Sequence, residues 1–354
     1  MVIHKNFLGG NIEFQKREGN TIYLKNEVRD STQDWFYWAF CVEDAEAGEF
    51  VFDLTDRYRV GYWGAAVSSD LKEWKWVDNC EGETFKYTFK GGETLYFAHS
   101  MLYHPDRFLN FAKENGIEVK ELCKSNKGRS VPYVTVGEGD ISIILTARHH
   151  ACESTGTYVV EGLLDEMVKN PMPEATIAYI PFVDYDGVVD GDQGKARGPH
   201  DHNRDYRQEF PLYTETVAIR KYAEEHGCHY GYDFHSPWHK GGENDWAFFV
   251  RNSVEDFEKF ELMADLLEAE VNADAFNYKK ANDHPPFVGW NQPSNGFAFT
   301  MNRRPENVLA VTLETAYFGV EGNKISQANM LELGRCFARA IKKFVAATKH
   351  EIKK

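Results

Sequence analysis

The sequence predicts an α/β fold in two parts: a smaller all-β sandwich over residues 1–98, then a mixed, mostly parallel sheet flanked by helices over residues 99–354. Three observations predict it. The chain has 354 residues, more than one small core accommodates. Its first hundred residues are short aromatic and β-branched runs broken by turn clusters. Beyond His99 strand patterns alternate with helical ones, the signature of an α/β layer.

The β part is read from runs at 35–40, 50–54, 58–63, 74–77, 85–89 and 94–98, separated by clusters such as Ala47-Gly48 and Lys90-Gly91-Gly92. In the second part Pro105 opens a helix with Phe108, Leu109, Phe111 and Ala112 on one face, closed by Asn115-Gly116. Strands are predicted at 131–136, 141–146, 176–183, 230–234 and 308–313. Helices are predicted at 158–168, 214–225, 254–272 (N-capped by Ser253) and 327–348. Active sites on such sheets lie beyond the carboxyl ends of strands, so those ends are where chemistry is sought.

Composition narrows the function classes. Apolar residues make up 42% and aromatics 14%, enough for buried cores. No stretch nears the roughly 18 uninterrupted apolar residues of a membrane span, so no membrane partner is expected. A net charge of −15 argues against a nucleic-acid partner, which wants a basic face. Cys41, Cys80, Cys123, Cys152, Cys228 and Cys336 stand singly, as reduced thiols of a cytoplasmic protein do, and the N-terminal stretch has no apolar leader pattern.

Three polar clusters follow apolar strands. In the first, His150 and Glu153 lie three apart just past Ile143-Ile144-Leu145. On a turn this spacing lets an imidazole and a carboxylate reach one cation, although a Glu there also suits the positive end of the following helix. In the second, His235 ends the run Tyr230-Gly231-Tyr232-Asp233-Phe234, and with the first pair it completes the His₂Glu set usual for catalytic zinc. In the third, Glu314 emerges from Val308 to Leu313, where a carboxylate is costly unless paired by a salt bridge or by a metal-bound water it serves as base. Between the first two, Asp184-Tyr185-Asp186-Gly187 leads into a loop with Lys195, Arg197, His200, Asp201, His202, Asn203 and Arg204. A guanidinium beside an amide is well built to grip a carboxylate.

This order of HxxE, DG…NR, strand-end His and strand-end Glu resembles the M14 family of zinc carboxypeptidases, and within it the cytosolic-carboxypeptidase branch. The similarity runs over nearly the whole chain. Asp34-Trp35-Phe36-Tyr37-Trp38 and Tyr96-Phe97-Ala98-His99 are similar to the β-sandwich preceding that branch's catalytic domain. Asp233-Phe234-His235 stands where the branch has aspartate-leucine-histidine, and Thr312-Leu313-Glu314 matches its threonine-leucine-glutamate.

The resemblance implies a hydrolase, a metallopeptidase with one Zn²⁺ per chain, acting on a peptide or protein C-terminus by attack of a metal-activated water. His150, Glu153 and His235 would bind the metal. Glu314 would activate the water and pass its proton to the leaving amine. Asn203 and Arg204 would hold the terminal carboxylate, Arg197 (or Lys195) would stabilise the oxyanion, and Asp201 would orient His150. His149 with Cys152 is the competing ligand pair. The sequence departs from the family in two places. No tyrosine stands in Gly289 to Gly296, where the pancreatic-type enzymes carry a mobile one. Phe297-Ala298-Phe299 replaces the arginine with which the cytosolic branch selects C-terminal glutamate, leaving Arg303, Arg304 or Lys240 as other sources of charge. Two further readings stand beside the carboxypeptidase: a zinc N-acyl-amino-acid deacylase of the aspartoacylase and succinylglutamate desuccinylase kind, and a catalytically dead binding module.

Overall fold

The structure, a computed structural model, describes residues 1–252 and 256–353. The expectations for Ser253 and Val254 lie outside the described residues. Among the described residues, no helix is long and apolar enough to cross a membrane.

Residues 2–98 form two five-stranded sheets. One runs Val2–His4, Ala39–Glu43, Leu95–Ala98, Ala66–Ser68, Lys75–Trp76; the other Glu13–Glu18, Thr21–Lys25, Gly48–Asp53, Thr84–Phe89, Cys80–Glu81. Alternate residues of both sheets (Phe40, Val42 and Phe97 against Ile22, Leu24, Phe50, Phe52 and Phe85) pack into one core. Two of the expected strands differ. The run at 35–40 enters a ladder only at Ala39, and 58–63 is a turn rather than a strand.

The second part is a seven-stranded mixed sheet ordered Val119–Lys124, Ser130–Val136, Ala175–Ile180, Ile141–Ala147, Tyr230–His235, Leu309–Thr315, Ala247–Val250. The four strands from Ala175–Ile180 to Leu309–Thr315 run parallel, while both flanks of the sheet are antiparallel. Period-two alternation divides its faces. Ile143, Leu145, Tyr232, Phe234, Val311 and Leu313 pack on the helices Thr155–Lys169, Phe257–Glu270 and Gln327–Thr348. Ile144, Ile180 and Ala310 meet Ile219 and Ala223 of the helix Thr214–His226 and Phe297, Ala298 and Met301 of the short helix Phe297–Met301.

Two of the large-core helices cross at van der Waals contact of their backbones. A Cβ on Gly162 would sit 1.9 Å from the carbonyl oxygen of Leu331, and one on Gly334 the same 1.9 Å from that of Val159. Neither atom can yield, being backbone. Gly162→Ala is therefore expected to lower stability by about 2 kcal/mol or more through forced separation of the helices, despite alanine's better helix propensity. A urea midpoint at or above the parent's would refute this.

Candidate active site

The site lies where three parallel strands end. The strand Ile141–Ala147 stops and the chain turns through Arg148 to Ser154 before the helix Thr155–Lys169. Arg148 takes a positive φ of 62° and donates to the carbonyl of Ala151, and Glu153 N–H donates to His150 O, closing the turn. His235 is the last residue of its strand and lies in register beside Glu314 of the neighbouring strand.

This placement brings His150, Glu153 and His235 together, all buried. Nδ1 of His150 is 2.9 Å from Glu153 Oε1, Nδ1 of His235 is 2.7 Å from Glu153 Oε2, and the two Nδ1 atoms are 3.2 Å apart. Donors about 2.0–2.1 Å from a tetrahedral ion stand roughly 3.3 Å from one another, close to these separations. The other ring nitrogens face acids: His235 Nε2 lies 2.8 Å from Asp233 Oδ2, and His150 Nε2 lies 3.5 Å from Asp201 Oδ1. The Nε2–H that His235 shares with Asp233 leaves its lone pair on Nδ1, and the acid facing His150 Nε2 favours the same tautomer there, so two imidazole lone pairs and a carboxylate converge on one point. That donor set fits a divalent cation. Glu153 caps nothing: its oxygens face the two imidazoles, and the helix that follows has no side-chain N-cap bond.

Burial pushes the Glu153 carboxyl up, yet His150, Lys195 and His235 together hold it well below the usual carboxylate range. Burial also opposes charge on His235, and Asp233 with Glu153 outweighs it, keeping the imidazole's affinity for a proton high. Glu314 behaves oppositely: burial pushes it up to about 7 against the pull of His235. Its Oε2 is buried without a hydrogen-bond partner, and a carboxylate left that way waits for a proton or a water.

Lys195 completes the cluster, its Nζ 3.1 Å from Glu153 Oε1 and 3.2 Å from His150 Nδ1. Gly194 sets it there. With φ of +73° and a virtual Cβ only 2.0 Å from the amide nitrogen of Ala151, this position admits no side chain, so the loop lies against the His150 turn. The loop is tied to the N-terminal part as well: Gln193 and Gly194 N–H both donate to Asp30, and Thr32 N–H donates to Ala196 O.

A cavity of about 330 Å³ opens from this cluster, and Lys195, Asn203, Arg204, Glu314 and Trp35 are on its wall. Phe297 N–H donates to Asn203 Oδ1 and so turns the amide nitrogen to within 3.1 Å of His235 Nε2, while the Arg204 guanidinium, held by Asn203 O, sits on the exposed rim.

The structure corrects the assignment of Arg197. Its guanidinium pairs with Asp30 at 2.8 Å, Asp184 at 2.8 Å and Asp192 at 3.1 Å, and it lines a separate cavity with His202 and Glu215. It binds three acids and does not face the imidazole pair; Lys195 does. His149 is likewise spoken for, with Nδ1 2.8 Å from Asp233 and Nε2 2.6 Å from Tyr206 OH. Arg303 and Arg304 line a different cavity, and Lys240 donates to Val60 O, so none charges this one. Asp233 and Trp35 play parts here that the sequence reading did not assign. Asp233 had a legible signal, since two residues before His235 on a strand is the same face.

No protein-family model matches the chain. It is 27% identical over 255 residues to an uncharacterized protein of Zymomonas mobilis, covering 66% of this chain and 67% of that one. It is 26% identical over 220 residues to cytosolic carboxypeptidase 2 of Macaca fascicularis, covering 54% of this chain and 26% of that protein, so the chain spans about a quarter of that relative. Among solved structures, a metallo-carboxypeptidase from Pseudomonas aeruginosa superposes with a TM-score of 0.79 over 100% of both chains at 20% identity. The chain thus resembles M14-like metallo-carboxypeptidases and carries their mixed α/β fold.

Proposed function

We propose that this protein, which shares the metallo-carboxypeptidase fold, is a zinc metallopeptidase that removes C-terminal residues from peptides. One observation carries the reading: the His150, Glu153 and His235 donors converge, and the two imidazoles line one cavity with the unpartnered Glu314 carboxylate and the Asn203-Arg204 pair. His150, Glu153 and His235 are the residues that would hold the ion. Bound there, zinc supplies Lewis-acid chemistry, lowering the pKa of water and polarising a carbonyl.

The remaining steps belong to side chains. Arg204 at the rim and the Asn203 amide N–H bind the terminal carboxylate of the peptide, which fixes the last peptide bond near the donor cluster. Glu314 takes a proton at its carboxylate from the attacking water and delivers it to the departing amine nitrogen. Lys195, 28% exposed and beside the cluster, offers an ammonium N–H to the charge that develops on the carbonyl oxygen. Asp233 and Asp201 hold the two imidazoles in the tautomer that presents Nδ1. Asp233→Asn keeps the shape and the Thr146 bond but loses the charge, so metal affinity is expected to fall roughly 10–100-fold. A competition titration against a chromophoric chelator reads it, and an unchanged affinity would remove Asp233 from this role.

The proposal includes a boundary near residue 98, with the first part serving as an accessory sandwich, and a reducing, cytoplasmic setting supported by six unpaired cysteines. The test is release of free amino acid from the C-terminus of a blocked peptide panel by the zinc-loaded protein, with acetyl-aspartate assayed in parallel. Turnover of acetyl-aspartate without peptide cleavage would transfer the site to the deacylases. A zinc content well under one equivalent, with no turnover of either, would point to a binding module.

A further inference from the structure

The cavity has a second end. The strand Ala247–Val250 pairs with Leu309–Thr315 so that Val250 opposes Thr312, two residues before Glu314 and on the same face of its strand. Val250, Asn252, Ala298 and Thr312 line the cavity there. Among the described residues on the cavity wall, the ionisable side chains are those of His150, His235, Lys195, Glu314 and Arg204; the rest of that lining is uncharged.

Most amide side chains on this wall have spent their N–H groups. Asn244 Nδ2 donates to Gly241 O, Asn291 Nδ2 to Arg251 O and Pro285 O, and Gln292 Nε2 to Phe287 O and Gly289 O. Asn252 has not. It is 7% exposed, and its Nδ2 is buried with no hydrogen-bond partner. A buried amide N–H without an acceptor carries an unrecovered desolvation cost, which a ligand oxygen recovers.

We propose that Asn252 selects the terminal residue of the substrate, donating its amide N–H to a carbonyl or hydroxyl oxygen on an uncharged side chain. This rests on the carboxypeptidase reading and names its substrate class: peptides ending in a neutral, acceptor-bearing residue such as glutamine. A glutamate side chain would be buried with no cation among the described residues at that end to balance it. Among the described residues lining that end there is no carboxylate for a lysine, since Glu314 stands in register beside His235. An aliphatic residue fits beside Val250 and Ala298 but leaves Asn252 unpaired.

The test uses the zinc-loaded protein with blocked tripeptides ending in Gln, Leu, Glu or Lys. In kcat/KM, Gln is expected to exceed Leu by ~10-fold, the worth of one recovered hydrogen bond. It is expected to exceed Glu and Lys by ~100-fold or more, because each buries an unpaired charge. Asn252→Leu should bring the Gln-to-Leu ratio to about one, since the donor is gone. The isosteric Asn252→Asp keeps the side-chain volume and should raise Lys relative to Gln by ~10-fold through a new ion pair. Equal cleavage of Gln and Glu or Lys by the parent, or unchanged ratios in both variants, would overturn the assignment. Cleavage of none of the four by protein with a full equivalent of zinc overturns the carboxypeptidase reading, and Asn252's role with it.

Discussion

Glu314→Gln is expected to cut kcat roughly 10³-fold or more while leaving zinc at about one equivalent per chain. The amide matches the carboxylate in size and sits on the sheet between buried neighbours, so the strand Leu309–Thr315 should keep its place. What the substitution removes is a proton acceptor. Burial pushes Glu314 above the usual carboxylate range, which strengthens it as a proton acceptor, whereas an amide neither takes nor returns a proton. Because Glu314 is outside the donor set, metal content separates its role from that of a ligand. A variant that turned over within a factor of a few of the parent would show that the base is elsewhere.

Removal of the metal should be nearly total in its effect on activity and measurable in stability. Chelation is expected to abolish peptide cleavage and readdition of zinc to restore it, since no other group among the described residues in the cavity supplies a Lewis acid. The fold should feel the loss too. Without a cation the buried Glu153 carboxylate and the two imidazoles keep only each other and Lys195, and a ligand present at a thousand times its Kd contributes about 4 kcal/mol. A thermal melt with and without chelator therefore carries a shift of several degrees for a chain of this size. Glu153→Ala should abolish both the activity and the zinc-dependent shift. If the melt were insensitive to zinc and activity survived chelation, the donor cluster would not be a metal site.

The parts of this architecture that local pattern encodes were readable. The helix Gln327–Thr348 carries an unbroken apolar stripe and a Ser326 capping box, and the expectation of 327–348 matches its ends. The strand Glu13–Glu18 was missed because all six of its residues are exposed, so no alternation marks it. The opposite error fell on aromatics. Trp35 to Trp38 have strand composition, yet backbone groups of Trp35 and Tyr37 go to side chains (Asn26 Nδ2 donates to Trp35 O, and Tyr37 N–H donates to Gln193 Oε1), leaving Trp35 to line the cavity. In the site, HxxE lies on one turn and was legible for that reason. The choice between Lys195 and Arg197 was not, because they are two residues apart and what separates them is remote in sequence. Asp30 and Asp184 capture Arg197, and Gly194 presses the loop onto Ala151.

Asp30 receives two backbone N–H groups from the Gln193-Gly194 turn, and the consequence concerns when the protein becomes active rather than how. The polypeptide emerges from the ribosome with Asp30 and Trp35 first, the donor turn and Lys195 after them, then His235, and Glu314 last. No contiguous segment holds a working set. The candidate site is assembled from five stretches that meet only after the last of them has been made, so a nascent or truncated chain carries the ingredients of the site without forming it.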